Sequence, residues 1–260
     1  MPLRLSPRLR AARFGLCALL LTAALSQPIH AQTADPVSQP SIDDGGTLSL
    51  LAVESGVAEI GRLQTVFTDY LKERLPVAID TPSLPAGRVH VAMRQPLQVC
   101  AVGLIRLPQV EAAYHWVMPI IHSRIVRYGS GTVSSTLTDG RYGVMLGTTL
   151  EQYARHAGED VIAIAERESI FEMLKRGRLR GVIDVDIVVD FRLEADPDLA
   201  LTEEAVLAKV YGWLACSKAV QAPTRDRIVA IVRNGLHDGS LYERLPNPEI
   251  RRYIPVHLID

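Results

Sequence analysis

The stretch RYGVMLGTTLEQYARHAGEDVIAIAERESIFEMLKRGRLRGVIDV, residues 141–185, determines the predicted fold class. Three short apolar runs alternate in it with two amphipathic segments. The runs are 142–146, 161–165 and 181–185, and the segments are 150–156 and 169–176. Short apolar runs predict buried strands, and apolar residues three and four apart predict helices. This alternation predicts an α/β fold with mainly parallel strands.

A second cluster of the same kind spans roughly residues 47–122. An apolar run at 47–53 precedes an amphipathic helix at 62–74. Further strands are predicted at 77–79, 89–93, 98–105, 116–121 and 125–128. An apolar run at 206–216 then returns the chain, and a helix follows at 224–236. A chain that leaves one lobe, builds a second and returns predicts two lobes with a cleft between them.

The first 31 residues are predicted to be a secretory signal peptide. Four arginines precede an apolar stretch from Phe14 to Leu25, and the segment ends at Ala31. A basic start, a short apolar core and a small residue before the cut are typical of a cleaved leader. The apolar core is shorter than the roughly 20 residues of a spanning helix, although an uncleaved anchor is the alternative interpretation. Residues 32–46 are predicted to form a flexible tail.

Charge and composition exclude several classes of protein. The 260-residue chain has 28 basic and 29 acidic residues and is 48% hydrophobic, which excludes a disordered chain. The leader carries four arginines and no acidic residue, so residues 32–260 have 24 basic and 29 acidic residues, a net charge of −5. This balance argues against nucleic acid and anionic membranes as partners.

The number of cysteines in the mature chain, and whether they form a disulfide, depend on export. Cys17 lies within the predicted leader, which leaves Cys100 and Cys216. Both lie in apolar, strand-like segments, and in an oxidising compartment such a pair is expected to form a disulfide. Two buried free thiols are the alternative.

Known catalytic and metal-binding motifs are absent from the sequence. It contains no HExxH, GxSxG or P-loop pattern, and no two of its seven histidines have the i, i+4 spacing of ligands on one helix. We therefore predict a protein that is not an enzyme and carries no cofactor or metal.

Four stretches together resemble a known family. They are CAVGLIRLPQVEAAYHWVMPI (100–120), RYGVMLGTTLEQY (141–153), MLKRGRLRGVIDVD (173–186), and YGWLACSK (211–218) with RIVAIVRNGLHDGSLYERL (227–245). Their order and spacing are similar to those of the type II periplasmic solute-binding proteins that serve amino-acid ABC transporters (solute-binding family 3). The resemblance implies an α/β fold of two lobes, each a mainly parallel sheet flanked by helices, joined by two crossover segments. It places lobe 1 at 47–124 and 212–260, and lobe 2 at 125–211.

The resemblance also implies a ligand site in the cleft. Gly147, Thr148 and Thr149 form a turn at a predicted helix N-terminus, where N–H groups and hydroxyls favour an anion, although plain helix capping is the alternative. Trp116 is expected near the cleft, in either a stacking or a core role. Asp184 and Asp186 alternate along a strand end, so only one of them is expected to face the cleft. Glu54, after the first strand, is a candidate for binding a ligand ammonium group.

The sequence departs from the family at its cationic anchor. Family members that bind amino acids hold the substrate carboxylate with an arginine, and Val110 occupies the matching place. Arg106, four residues earlier, is the candidate replacement, and a solvated loop arginine is the alternative.

Taken together, these observations predict a periplasmic, monomeric protein that binds a small polar solute, amino-acid-like or carboxylate, for a membrane permease or a sensor. A degenerate binding-protein-like domain with a sensory or protein-interaction role is the alternative. A cleft dehydratase that uses Glu54, Asp184 or Asp186 is a third interpretation.

Overall fold

The computed structural model of the chain describes residues 47–131, 140–245 and 247–255. The predicted leader at 1–31 and the predicted tail at 32–46 lie outside these residues. Within the described residues, no helix has the length and apolar character needed to cross a membrane.

Helices and strands alternate along most of the chain, as the periodicity predicts. The helices are α1 (Ala58–Lys72), α2 (Ala86–Arg94), α3 (Thr149–His156), α4 (Arg167–Lys175), α5 (Asp186–Ala195) and α6 (Ala222–His237). The strands are β1 (Leu48–Val53), β2 (Ile79–Asp80), β3 (Ser83–Leu84), β4 (Val99–Ile105), β5 (His115–Ser130), β6 (Tyr142–Met145), β7 (Val161–Ile164), β8 (Gly181–Val185) and β9 (Leu201–Cys216). Short 3₁₀ helices lie at Pro108–Ala113, Tyr242–Arg244 and Pro248–Tyr253.

The strands form one sheet in the order β2-β1-β4-β9-β5-β8-β6-β7, and β3 also pairs with β1. At one end β1 runs parallel to β2, β3 and β4, and at the other end β6 runs parallel to β7 and β8. The central pair, β5 and β9, is antiparallel and joins the two parallel ends. Helices flank both ends, because parallel strands need crossover connections on the faces of the sheet.

The central strands are longer than the apolar pattern predicts. Segments 116–121 and 125–128 belong to the single 16-residue strand β5, which pairs with the 16-residue β9 from His115 opposite Cys216 to Ser130 opposite Leu201. The register shifts at four places along this pair. Each shift changes which face a side chain occupies, so the period-2 alternation is interrupted and the sequence resembles two separate strands.

Two local predictions were wrong. Residues 89–93, predicted as a strand, lie in α2, where Ala86, Val89 and Met93 are buried at the three- and four-residue spacing of a helix. The helix predicted to begin at residue 169 is α4, which begins two residues earlier, at Arg167.

Cys100 and Cys216 are directly opposite each other on the antiparallel strands β4 and β9 and are joined by a disulfide. Both residues are fully buried. The two cysteines are 116 positions apart in the sequence, and the closed loop between them contains β5 through β8. It therefore ties the returning strand to the first parallel end of the sheet.

Two helical glycines differ in what lies around them, which gives a test of the packing between α1 and α6. A Cβ at Gly235 of α6 would lie 2.2 Å from the Tyr70 hydroxyl oxygen, which is hydrogen-bonded to Ser240 at 2.6 Å. We expect Gly235→Ala to lower the free energy of unfolding by about 1–2 kcal/mol, because overpacking outweighs the gain in helix propensity. Urea denaturation measures this change.

Gly61 of α1 provides the matched control. A Cβ there would meet no heavy atom within 4 Å. Gly61→Ala is expected to raise the free energy of unfolding by up to about 1 kcal/mol. Equal effects of the two substitutions would contradict the close approach of α6 to Tyr70.

The disulfide gives a second prediction. In the chain-entropy treatment, closing a loop of this length stabilises the folded state by roughly 4–5 kcal/mol. Urea denaturation with and without a reductant should therefore give free energies of unfolding that differ by about this amount. The double variant Cys100→Ala/Cys216→Ala should be insensitive to the reductant. Mass measurement after alkylation verifies the bridge. If the reductant then leaves the urea midpoint of the wild-type protein unchanged, this account is contradicted.

Candidate functional site

A cavity of about 130 Å³ lies where the two parallel ends of the sheet meet the central strands. One wall is formed by the carboxyl end of β1 together with α1, α2, β4 and β5. The opposite wall comes from the second parallel end of the sheet, through α3, α4, β8 and α5. Ligand sites of open α/β sheets commonly lie outside the carboxyl ends of the strands. The cavity is therefore the candidate functional site.

Most of the cavity wall is aliphatic. The apolar side chains come from both ends of the sheet and from both central strands: Val53, Ile60, Leu104, Ile105, Ile121, Met145, Leu150, Val185, Ile187, Val188 and Val210. The charged side chains among the lining residues are Glu54, Arg167 and Asp184. A bound molecule would thus meet a mainly apolar surface with few polar groups.

Arg167 and Asp184 form a buried ion pair at the cavity. The Arg167 Nε atom lies 2.9 Å from Asp184 Oδ2, and the two side chains are 9% and 1% exposed. The backbone N–H of Val185 donates to Asp184 Oδ1 at 2.8 Å. The charge of Arg167 is therefore neutralised within the protein. Sequence reasoning missed Arg167, since its helix was predicted to start at Ser169.

The turn before α3 makes its hydrogen bonds within the chain. Thr148 Oγ1 accepts from the Glu151 N–H at 3.1 Å and donates to the Met145 carbonyl at 2.7 Å. The Gly147 N–H donates to the Glu151 carboxylate at 2.8 Å. Thr148 and Thr149 line the cavity, whereas Gly147 is not among the lining residues. Thr148 thus has the capping role that was the alternative interpretation, and the Glu151 carboxylate already occupies the anion position at Gly147.

His90 connects α2 to the turn before α3. Its Nε2 lies 3.1 Å from Thr149 Oγ1, and its Nδ1 lies 2.8 Å from the Tyr114 hydroxyl. Burial lowers the pKa of His90, and the nearby positive charge of Arg94 lowers the pKa further. Both effects favour the neutral imidazole, which is able to accept one hydrogen bond and donate the other. His90 lines the cavity and was not predicted from the sequence.

Two lining residues present unpaired acceptors. The Glu54 side chain is exposed, and within the described part of the chain its carboxylate has no hydrogen-bond or ion-pair partner. Gln64 is 3% exposed and donates from Nε2 to the Val102 carbonyl at 3.2 Å. Its Oε1 is buried without a partner among the described residues. Buried acceptors without a donor are uncommon in native proteins, so Gln64 Oε1 is a candidate ligand contact.

Arg106 and Trp116, both predicted to contact the ligand, do not line this cavity. Arg106 donates from Nε to Glu111 Oε2 at 2.8 Å, and its guanidinium lies 4.6 Å from the ring centre of Trp213. Trp116 donates from Nε1 to the Glu111 carbonyl at 2.9 Å. The nearby carboxylate and indole hold Arg106 at a separate surface depression. Val110, in the place of the family arginine, is 2% exposed and packed in the core.

The two aspartates at the end of β8 have different surroundings. Asp184 lines the cavity, whereas Asp186 does not and is the first residue of α5. Asp186 accepts hydrogen bonds from Ser123 at 2.5 Å and from the Arg124 N–H and Nε at 3.0 and 2.7 Å. Burial alone would raise the pKa of Asp186, but these hydrogen bonds and the Arg124 charge outweigh burial and lower it. Asp186 therefore has a structural role at the start of α5.

A metal site finds no support in the described part of the chain. Residues 47–131, 140–245 and 247–255 contain no group of three or more His, Cys, Asp or Glu side chains arranged to hold a metal ion.

Comparison with known proteins shows the fold. Neither a protein-family model nor the sequence of a curated protein matches the chain. Among solved structures, ArgBP from T. maritima is 15% identical with a TM-score of 0.63, over 77% of this chain and 93% of that one. The GluR0 ligand-binding core from Nostoc punctiforme in complex with (L)-glutamate is 13% identical with a TM-score of 0.65, over 78% and 100%. AbpA from Streptococcus pneumoniae, bound to L-arginine, is 14% identical with a TM-score of 0.65, over 78% and 94%.

These similarities confirm the predicted fold class. The chain has the two-lobed α/β fold of type II periplasmic binding proteins, with two crossover strands between the lobes. Of these three solved structures, AbpA is an amino acid ABC transporter substrate-binding protein, and that of GluR0 is a ligand-binding core.

The buried ion pair provides a test of the site's architecture. Asp184→Asn would leave Arg167 buried and without a counter-charge. We expect this substitution to lower the free energy of unfolding by about 3–5 kcal/mol, as for other buried pairs that lose one partner. Urea denaturation measures the loss.

The control for this prediction is Glu168→Gln. Glu168 pairs with Arg192 at 2.8 Å, but its side chain is 56% exposed. Solvent-screened pairs contribute about 1 kcal/mol or less. Similar losses in the two variants would contradict the view that Asp184 neutralises a buried charge.

Proposed function

We propose that this protein is an exported solute-binding protein that encloses a small solute between two lobes. The observation that carries the proposal is the cavity, because its walls come from both of the lobes proposed at 47–124 with 212–260 and at 125–211. A cleft that closes around a molecule provides burial from both sides and excludes water.

Contacts between the proposed lobes support a closed conformation. The His90 hydrogen bond to Thr149 joins α2 of lobe 1 to the start of α3 in lobe 2. Beside it, a Cβ atom added at Gly147 would lie 3.6 Å from the Cα atom of Gly87, which is ordinary van der Waals contact between the proposed lobes. In a two-state hinge protein, a ligand that bridges both lobes shifts the population toward this closed form. Strands β5 and β9, which join the lobes, are the proposed hinge.

The solved structures support a role in binding rather than in catalysis. AbpA is a substrate-binding protein bound to L-arginine, and the GluR0 ligand-binding core is in complex with (L)-glutamate. By extension, we propose that the present chain binds a solute no larger than these amino acids and does not convert it chemically. Of the residues predicted to contact the ligand, we retain Glu54, Thr148, Thr149 and Asp184 as cavity-lining residues.

Export and partners complete the proposal. The predicted leader, with a cut after Ala31, and the disulfide between Cys100 and Cys216 both suit the periplasm. There a monomer would present its closed form to a membrane permease or a sensor protein.

A thermal-shift screen tests the proposal. Amino acids, carboxylates, amines and polyamines are added separately to the protein lacking its leader. A ligand that binds only the folded state stabilises it by about 2.7 kcal/mol at a concentration of 100 times Kd, which raises Tm. We expect at least one compound to raise Tm and to reduce the radius of gyration measured by small-angle scattering. Mass spectrometry should recover that compound unchanged.

A blocked variant and its matched control complete this experiment. Ile105→Trp places a large ring into the cavity wall, whereas Val91→Trp places the same ring on an exposed position of α2. Binding should be lost in the first variant and kept in the second. No stabilisation across the panel, or stabilisation that survives in the blocked variant, would overturn the proposed function.

A further inference from the structure

Arg167 supplies the positive charge of the candidate site. Among the described residues that line the cavity, the charged side chains are those of Glu54, Arg167 and Asp184. His90 also lines the cavity but favours its neutral form, because burial and the charge of Arg94 lower its pKa. Among these residues, a cationic contact with a solute therefore comes from Arg167.

One edge of the Arg167 guanidinium is occupied and another is open. Its Nε atom donates to Asp184 Oδ2 at 2.9 Å, and its Nη2 atom lies 3.5 Å from Asp184 Oδ1. The two hydrogens of Nη1 have no acceptor among the described residues. Because a guanidinium carries five N–H donors in a rigid plane, the edge formed by Nη1 and Nη2 is able to bind a second carboxylate.

Arg167 lies at the boundary between the two proposed lobes. It is the first residue of α4, and its side chain is 9% exposed. A Cβ atom added at Gly56, in the loop between β1 and α1, would lie 3.2 Å from the Cβ atom of Arg167. Gly56 has a φ of +69°, which glycine adopts without strain, so the loop of lobe 1 is able to approach α4 this closely. Arg167 thus lies against lobe 1 while its side chain lines the cavity between the lobes.

Three lining hydroxyls offer less to an anion than Arg167 does. Each of them already donates within the chain: Ser55 to the Val57 carbonyl at 3.0 Å, Ser123 to Asp186 at 2.5 Å, and Thr148 to the Met145 carbonyl at 2.7 Å. An anion that recruited one of these hydroxyls would have to displace an internal hydrogen bond. The open hydrogens of Arg167 carry no such cost.

The surroundings of Arg167 favour an anion with a single charge. Asp184 already balances the guanidinium charge, and Glu54 adds a second carboxylate to the lining residues. A doubly charged phosphate would meet more repulsion from these two groups than a carboxylate would. The rest of the wall is mainly aliphatic, which suits a carboxylate attached to an apolar body.

We infer that the solute carries a carboxylate and that Arg167, from lobe 2, binds this carboxylate through Nη1 and Nη2. Arg167 thereby takes the role that the sequence resemblance gives to an arginine at the position of Val110, which is buried. The inference rests on the proposed solute-binding function and assigns both the residue and the solute group that this function uses.

Pairs of compounds that differ in one group test the inference by calorimetry. The pairs are 4-methylpentanoate with 4-methylpentanamide and L-leucine with L-leucinamide, and each carboxylate that raises Tm in the thermal-shift screen is compared with its amide in the same way. The amide keeps the shape of its partner and lacks the negative charge. We expect the carboxylate of at least one pair to bind at least about tenfold more tightly than its amide, a difference of about 1.4 kcal/mol.

Arg167→Lys tests the assigned residue. A lysine keeps a positive charge beside Asp184 but lacks the planar fork that binds two carboxylates at once. The preference for the carboxylate over its amide should fall about tenfold, as expected when a hydrogen bond to a charged group is lost. Arg106→Lys is the matched control, because Arg106 does not line the cavity, and it should keep the preference of the wild-type protein.

A second variant covers the case in which Arg167→Lys does not fold. Arg167→Met/Asp184→Asn removes both partners of the buried pair, so neither charge is left without its counter-charge. The substituted asparagine is still able to accept from the Val185 N–H, as Asp184 does at 2.8 Å. Circular dichroism verifies that the double variant is folded, and its preference for the carboxylate should be absent.

The outcomes distinguish the two proposals. The assignment of Arg167 would be overturned by a carboxylate preference that survives in a folded Arg167 variant, or by one that Arg106→Lys removes. Equal binding of carboxylate and amide in every pair, or stabilisation only by compounds without a carboxylate, would overturn the inference and leave the solute-binding function standing. Absence of stabilisation by any compound would overturn the proposed function itself.

Discussion

The antiparallel pairing of β5 with β9 is the interaction on which the rest of the structure depends. Each strand has 16 residues, and together they carry the sheet from one parallel end to the other. Neither end contacts the other through a parallel strand pair, so this ladder sets their separation and their relative orientation. The cavity lies beside it, with Ile121 and Ser123 from one strand and Val210 and Gly212 from the other in its wall.

The polar groups near this ladder are arranged so that few of them remain free. Asp186 binds Ser123 and Arg124 of β5, Asp184 binds Arg167, and Glu151 caps the turn before α3. Buried charges are tolerated when they are paired and hydrogen-bonded, and these pairs meet that condition. Within the described residues, the unpaired acceptors of Glu54 and Gln64 contrast with these pairs.

The sequence predicts the fold better than it predicts the site. Alternation of strands and helices over 141–185 is a local property, and the α/β class follows from it. The site depends on contacts between distant residues. Arg106 is an obvious cation in the sequence, yet Glu111 and Trp213 hold it outside the cavity. Arg167 has no motif around it and acquires its place only when α4 packs against the end of β8.

The burial of Val110 has a consequence for engineering. The sequence resemblance suggests this position as the place for an arginine that binds a ligand carboxylate. Because Val110 is packed in the core, a guanidinium there would be desolvated among Leu107, Tyr114 and their neighbours. The single substitution would then cost stability before it conferred affinity. An arginine at this position could reach a ligand only if the surrounding 3₁₀ segment Pro108–Ala113 were repacked around it.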